Sequence, residues 1–221
     1  MGEMIHLESD DGFCFSAYTA APTGPRKGGV IVIQEIFGLD EHVRADVDRW
    51  ASLGLEAVAP SMYDRREKGF VAPHEPHGFK AGLEHAMATP IEQALEDVVA
   101  CRDYLAPRGK VFIVGYCYGG SIAWLAAADV TGLDGASSYY GSMVQANAAL
   151  KPMCPTIVHL GRLDTHIPAD AVKEALHAHH PDLPVYIYDD AGHGFNNEDP
   201  ERLNKASADL ARERTLALFG A

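Results

Sequence analysis

The stretch Gly115-Tyr116-Cys117-Tyr118-Gly119 leaves this chain few ways to fold. It stands between an apolar run, Val111-Phe112-Ile113-Val114, that reads as a buried parallel strand, and a run over residues 121–128 that reads as a helix. A chain that passes from strand to helix over so few residues must turn sharply. Glycine on either side permits backbone contacts and angles that a side chain would block. The turn projects Cys117 at the N-terminal end of the helix, where the helix dipole favours an anion such as thiolate. Taken alone, the pentapeptide reads equally well as a core cysteine ahead of a Gly-Gly turn, because free cysteine is often buried.

The rest of the chain repeats the strand-to-helix theme. Alternating residues over 4–7 and 13–18, separated by Ser9-Asp10-Asp11-Gly12, predict an antiparallel hairpin at the start of the sheet. Residues 29–33 and 55–59 are short apolar strands, and residues 41–53 between them carry helical spacing at Val43, Val47 and Trp50, closed by Gly54. Residues 61–89 are irregular, with several Gly, Pro and His; they predict loops, a short helix near 80–88, and a cover over whatever site the sheet presents. Pro90 suits the first turn of a helix over 91–105, and a strand over 110–114 enters the elbow. Further strands are expected at 135–139, 156–160 and 185–188, with helices at 169–179 and 201–219. The expected fold is α/β: a mostly parallel central sheet with helices on both faces and an antiparallel N-terminal hairpin.

At 221 residues, with no linker, repeat or low-complexity tract, the economical reading is one domain over 1–221. The start lacks the basic and apolar stretches of a secretory signal, and no apolar run approaches membrane-spanning length, so a cytoplasmic protein is expected. Cys14, Cys101, Cys117 and Cys154 lie far apart without CxxC spacing, which indicates neither a zinc site nor a disulfide framework. The pairs around His74-Glu75-Pro76-His77 and His177-Ala178-His179-His180 fall in a loop and at a helix end and do not suggest a metal. A net charge of −13 argues against nucleic acid or anionic membrane as partners.

Parallel sheets place ligand sites beyond the carboxyl ends of their strands. Cys117 falls there, and so do Asp164, in the loop after the 156–160 strand, and His193, in the loop after 185–188. Nucleophile, acid, histidine is the chain order of an α/β-hydrolase triad. A histidine is needed to take the thiol proton and return it to the leaving oxygen; a carboxylate fixes the imidazole's tautomer. Singly, the aspartate could be a turn former and the histidine a loop residue.

Together with Gln34-Glu35-Ile36-Phe37-Gly38-Leu39, Gly115-Tyr116-Cys117-Tyr118-Gly119-Gly120, Tyr139-Tyr140-Gly141 and Ala191-Gly192-His193-Gly194-Phe195, this order resembles the dienelactone hydrolase (carboxymethylenebutenolidase) family of the α/β-hydrolase superfamily. The resemblance runs nearly end to end. It implies a triad of Cys117, Asp164 and His193, an oxyanion hole from the backbone N–H groups of Ile36 and Tyr118, no cofactor, and a small ester or lactone substrate of the enol-lactone type cleaved through a thioester. It also gives Glu35 a role, that of holding the resting cysteine away from the histidine until substrate displaces it.

The likeness thins at substrate binding. Where the family has a carboxylate-binding arginine four residues after the histidine, this chain has Asn197. A neutral amide supplies no charge. Replacement cations could be Arg65, Arg66, Lys80 or Arg162, each also readable as a solvated surface charge, and Phe37 and Asn197 are further candidate substrate contacts. Ser121 and Ser142 read as structural. A monomer or weak homo-oligomer is expected. Two rival functions stay open: a general carboxylesterase or thioesterase on the same triad, and a non-catalytic, redox-sensing thiol protein.

Overall fold

In the computed structural model, which describes residues 2–221, the apolar runs become one eight-stranded sheet. Strands β1 (Glu3–Glu8), β2 (Cys14–Ala20), β3 (Gly28–Ile33), β4 (Leu55–Pro60), β5 (Val111–Tyr116), β6 (Gly135–Tyr139), β7 (Thr156–Gly161) and β8 (Val185–Tyr188) lie in the order β1-β2-β4-β3-β5-β6-β7-β8. The hairpin β1-β2 and the β2-β4 pair are antiparallel, and every later pair is parallel. Such a sheet needs cover on both faces, which explains why β3, β4, β5, β6 and β7 are buried along their whole length.

Six helices supply the cover: α1 (Glu41–Ser52), α2 (Pro76–Ala88), α3 (Ile91–Leu105), α4 (Tyr118–Asp129), α5 (Ala169–His179) and α6 (Lys205–Phe219). Alternation along β3 divides the core. Val30 and Val32 pack in one cluster with Val43, Val47 and Trp50 of α1 and Phe219 of α6. Ile31 and Ile33 pack in the other with Val98 and Cys101 of α3 and Ile122 of α4. Each such aliphatic side chain stabilises the fold by roughly 1.5–3 kcal/mol when fully buried. The core-cysteine reading therefore describes Cys101, whose thiol is pushed well up by burial.

Three boundaries differ from expectation by three residues or more. α2 begins at Pro76 rather than near residue 80, because proline at the first turn needs no N–H partner. α4 begins at Tyr118 and so includes the Gly-Gly pair. α6 begins at Lys205, not 201: Asn204 caps it by accepting a hydrogen bond from the Ser207 N–H at 3.0 Å, and residues before it turn around Asp199.

Candidate active site

The elbow owes its shape to backbone crowding. A Cβ on Gly115 would collide with the Gly119 carbonyl, one on Gly119 with the carbonyls of Ile33 and Gln34, and one on Gly120 with the Tyr139 carbonyl. Residue 117 is left at φ 55°, ψ −112°, a strained conformation held by its N–H donating to the Tyr139 carbonyl at 3.0 Å. The thiol leaves the elbow half-buried, at the head of α4.

Three strand ends bring the expected trio together. The Cys117 Sγ lies 3.1 Å from His193 Nε2, and His193 Nδ1 donates to Asp164 Oδ2 at 2.7 Å. The other oxygen of Asp164 accepts from the backbone N–H groups of His166 and Ile167 at 2.8 and 3.0 Å, so the carboxylate is aimed and cannot rotate freely. Burial alone would raise the Asp164 carboxyl, but the His193 hydrogen bond and these two N–H donors outweigh it and hold its pKa low. Burial likewise opposes charge on His193; Asp164 and the neighbouring sulfur reverse this and push its pKa up to about 10. The ring of Tyr140, itself at φ 38°, lies 5.1 Å from that imidazole and backs it.

The backbone N–H groups of Ile36 and Tyr118 have no acceptor among the described residues. Ile36 follows β3 and Tyr118 opens α4, so both stand at the carboxyl edge of the sheet beside the sulfur. Glu35 does not contact Cys117 by hydrogen bond. Its Oε2 accepts from Asn197 Nδ2 at 2.6 Å, in a small cavity of about 40 Å³ shared with Asp46, Tyr116 and Tyr140. The arrangement is thus the engaged one, with cysteine on histidine, rather than the held-away one expected of a resting thiol.

Cys117, Tyr118, Ile36 and His193 open onto a second cavity of about 640 Å³. That volume lies inside the range of about 300–1,000 Å³ usual for small-molecule sites. None of the four candidate cations, Arg65, Arg66, Lys80 and Arg162, lines this cavity. Arg65 is buried between Asp97, at 2.8 Å, and Asp11, with its guanidinium over the Phe13 ring; it ties β2's neighbourhood to α3. Arg162 pairs with Asp170 and Asp189 at the surface. Lys80 points to solvent beside Glu84. Phe37 also falls outside the cavity, buried against His74 with ring centroids 3.9 Å apart. Asn197 reaches Glu35 and not the large cavity.

Several lining residues escaped sequence reading. Arg202 is the one Arg or Lys on the cavity wall; it lies over Phe37 and faces Asp199 at 3.7 Å. It was hidden inside what reads as the first turn of a helix. Ser142, Met143 and His166 also line the wall, the first contrary to its structural reading. Ser121 is structural as expected, accepting from the Met143 N–H at 3.0 Å.

A parallel sheet with this hairpin, helices on both faces and a strained elbow at the end of β5 defines an α/β-hydrolase. Solved structures agree: a Pyrococcus furiosus esterase, 12% identical, superposes with a TM-score of 0.73 over 100% of this chain and 91% of its own. A Klebsiella pneumoniae protein described as a candidate dienelactone hydrolase, 30% identical, superposes at 0.84 over 99% of both chains. The family model for dienelactone hydrolases matches residues 15–221, and the chain belongs to that family. Carboxymethylenebutenolidases of Pseudomonas putida and Pseudomonas knackmussii are each 31% identical to it over 97% of this chain and 94% of theirs. It is a hydrolase that acts on carboxylic ester or lactone bonds. No helix among the described residues is long and apolar enough to cross a membrane.

Proposed function

We propose that Cys117 is the nucleophile, His193 the acid–base and Asp164 its orienting carboxylate, in a single-domain cytoplasmic enzyme that cleaves small esters or lactones, enol lactones included, through a thioester. The observation that carries this reading is the unbroken Sγ to Nε2 to Oδ2 chain, 3.1 and 2.7 Å, beside two uncommitted backbone donors. His193, with its raised pKa, accepts the thiol proton. The thiolate attacks the carbonyl carbon, and the oxyanion accepts hydrogen bonds from Ile36 and Tyr118 N–H. Collapse breaks the carbon–oxygen bond; the leaving oxygen takes the proton from His193, and the acyl group stays on sulfur. Water then gives a proton to His193, attacks the thioester, and expels Cys117 with release of the acid.

Thiolate leaves as readily as it attacks, so activated esters and enol lactones suit this site better than amides. Asn197 supports a departure from the strictly anionic substrates that arginine would recruit, and so favours the broader carboxylesterase or thioesterase reading on the same triad. Arg202 is the side chain able to meet a substrate carboxylate, and Asp199 partly neutralises it.

The test is hydrolysis of p-nitrophenyl acetate and of an enol lactone with and without a carboxylate. Turnover by the native chain that is lost in Cys117→Ala supports the assignment. Equal rates in the two proteins would refute it, and a strong preference for the carboxylate-bearing lactone would make Arg202 the replacement for the family's arginine.

A further inference from the structure

α2 carries an apolar stripe that the core does not use. Phe79, Leu83, Ala86 and Met87 recur at helical spacing on one face, yet Phe79 and Leu83 are 45% and 40% exposed and Met87 80%. A helix that served only as cover would turn these residues inward. Instead α2 is pinned by its glycines: a Cβ at Gly82 would collide with the Ile36 carbonyl, and one at Gly78 with the Pro73 carbonyl. The helix is thereby pressed onto the turn that carries the Ile36 N–H, with its apolar face alongside rather than beneath. All four stripe residues line the 640 Å³ cavity that also holds Cys117 and His193.

The chemistry orients that cavity. His193 must stand beside the leaving oxygen to protonate it, so the leaving group occupies the side of the cavity nearer His193, whose ring lies 6.0 Å from that of His166. The oxyanion donors Ile36 and Tyr118 draw the carbonyl oxygen away from His193, and because α2 is pressed onto Ile36 at Gly82 the acyl group would extend toward α2. Phe79, Leu83, Ala86, Met87, Ile91 and Met143 make up most of the apolar part of the cavity wall. Two of these are methionines, whose unbranched, flexible side chains adapt to occupants of differing length.

We propose that the face of α2, completed by Ile91 and Met143, is an acyl-chain site, and that the chain prefers esters of uncharged, medium-length apolar acids. The proposal rests on the hydrolase reading above. It assigns recognition to the acyl side and leaves the alcohol side comparatively polar. An apolar acyl chain would cover the exposed stripe, since the same cavity opens onto the Cys117 sulfur.

A series of p-nitrophenyl esters from acetate to octanoate, taken below their micellar limits, tests it with a constant leaving group. The expected kcat/KM rises by about twofold to fourfold per methylene through hexanoate, the order set by burying CH₂ groups. Leu83→Gln and Met87→Gln should each flatten that slope; at 80% exposure, Met87 can be changed without threatening the fold. A matched set of acetates with lengthening alkyl alcohols should give a shallower slope than the acyl series. Turnover that depends on Cys117 but does not rise with acyl length, or a slope unchanged in both variants, overturns the acyl-chain site and leaves the hydrolase reading intact. Absence of any Cys117-dependent turnover across the series overturns both.

Discussion

The elbow and the face that the cover turns to the cavity are built on opposite principles. Around Cys117, position is dictated by backbone meeting backbone: Gly115, Gly119 and Gly120 exist because carbonyls occupy the space a Cβ would need. Across the cavity, α2 is seated by Gly78 and Gly82, but what it presents to the cavity is side chains that touch solvent, Phe79, Leu83 and Met87. The first region can scarcely change and still form, while the second can change one side chain at a time. The contrast separates the two proposals: the reaction is assigned to the elbow and strand ends, and the choice of ester to the cover.

The largest effect that could break this contrast is at Asp164. Asp164→Asn should leave the fold in place but present the wrong tautomer to Cys117, lowering kcat/KM by about 10⁴-fold, as loss of an orienting carboxylate does elsewhere. Steady-state kinetics on an activated ester would measure it, and a loss under tenfold would mean that the carboxylate does not orient His193. Next comes Gly119→Ala. The Ile33 and Gln34 backbone cannot yield, so this single methyl should cost about 1–3 kcal/mol and lower the melting temperature by several degrees. A melting temperature equal to the native one would show that the elbow is not crowded.

The elbow should also have a pH signature that the cover lacks. A histidine whose pKa is higher folded than unfolded adds stability that is complete below its unfolded value, about 6.5, and is lost as pH rises through the folded value. For His193 that window runs from about 6.5 to about 10. Since the Cys117 sulfur contributes to the shift, the decline in melting temperature across this window should be shallower in Cys117→Ala; parallel declines would contradict the coupling. In the cover, Met87→Gln should move the melting temperature hardly at all, within about 0.5 kcal/mol, because the side chain is largely solvated. The smallest expected change is in iodoacetamide labelling of Cys117 in Glu35→Gln, where an unaltered rate would count against Glu35 acting on the thiol.

The same division explains what could be read from the chain alone. Strands and the meeting of Cys117, His193 and Asp164 were legible because they depend on local pattern: apolar β-branched runs, glycines around Cys117, and Asp164 and His193 each just past a strand. Substrate contacts were not, because they depend on which distant groups meet. Arg65 has the charge a carboxylate site needs, but Asp97 of α3 and Asp11 of the β1-β2 turn claim it. Arg162 is likewise engaged by Asp170 and Asp189, at the surface. Arg202 was masked by helical spacing over 201–219, and only the Asn204 cap reveals that the helix starts later. The stripe on α2 was obscured because the Gly, Pro and His of residues 61–89 predicted loops and only a short helix near 80–88, which leaves out Phe79; Gly78 and Gly82 turn out to be the contacts that seat the helix.

The account stands or falls on the bond that Cys117 forms. Rapid quenching of the protein with p-nitrophenyl butyrate, followed by intact-mass and peptide mass spectrometry, should find a transient butyryl adduct on the peptide containing Cys117, accumulating further in His193→Ala if deacylation is slowed more than acylation, and absent in Cys117→Ala. Ester turnover with no adduct on that peptide, and at an undiminished rate in Cys117→Ala, would contradict it.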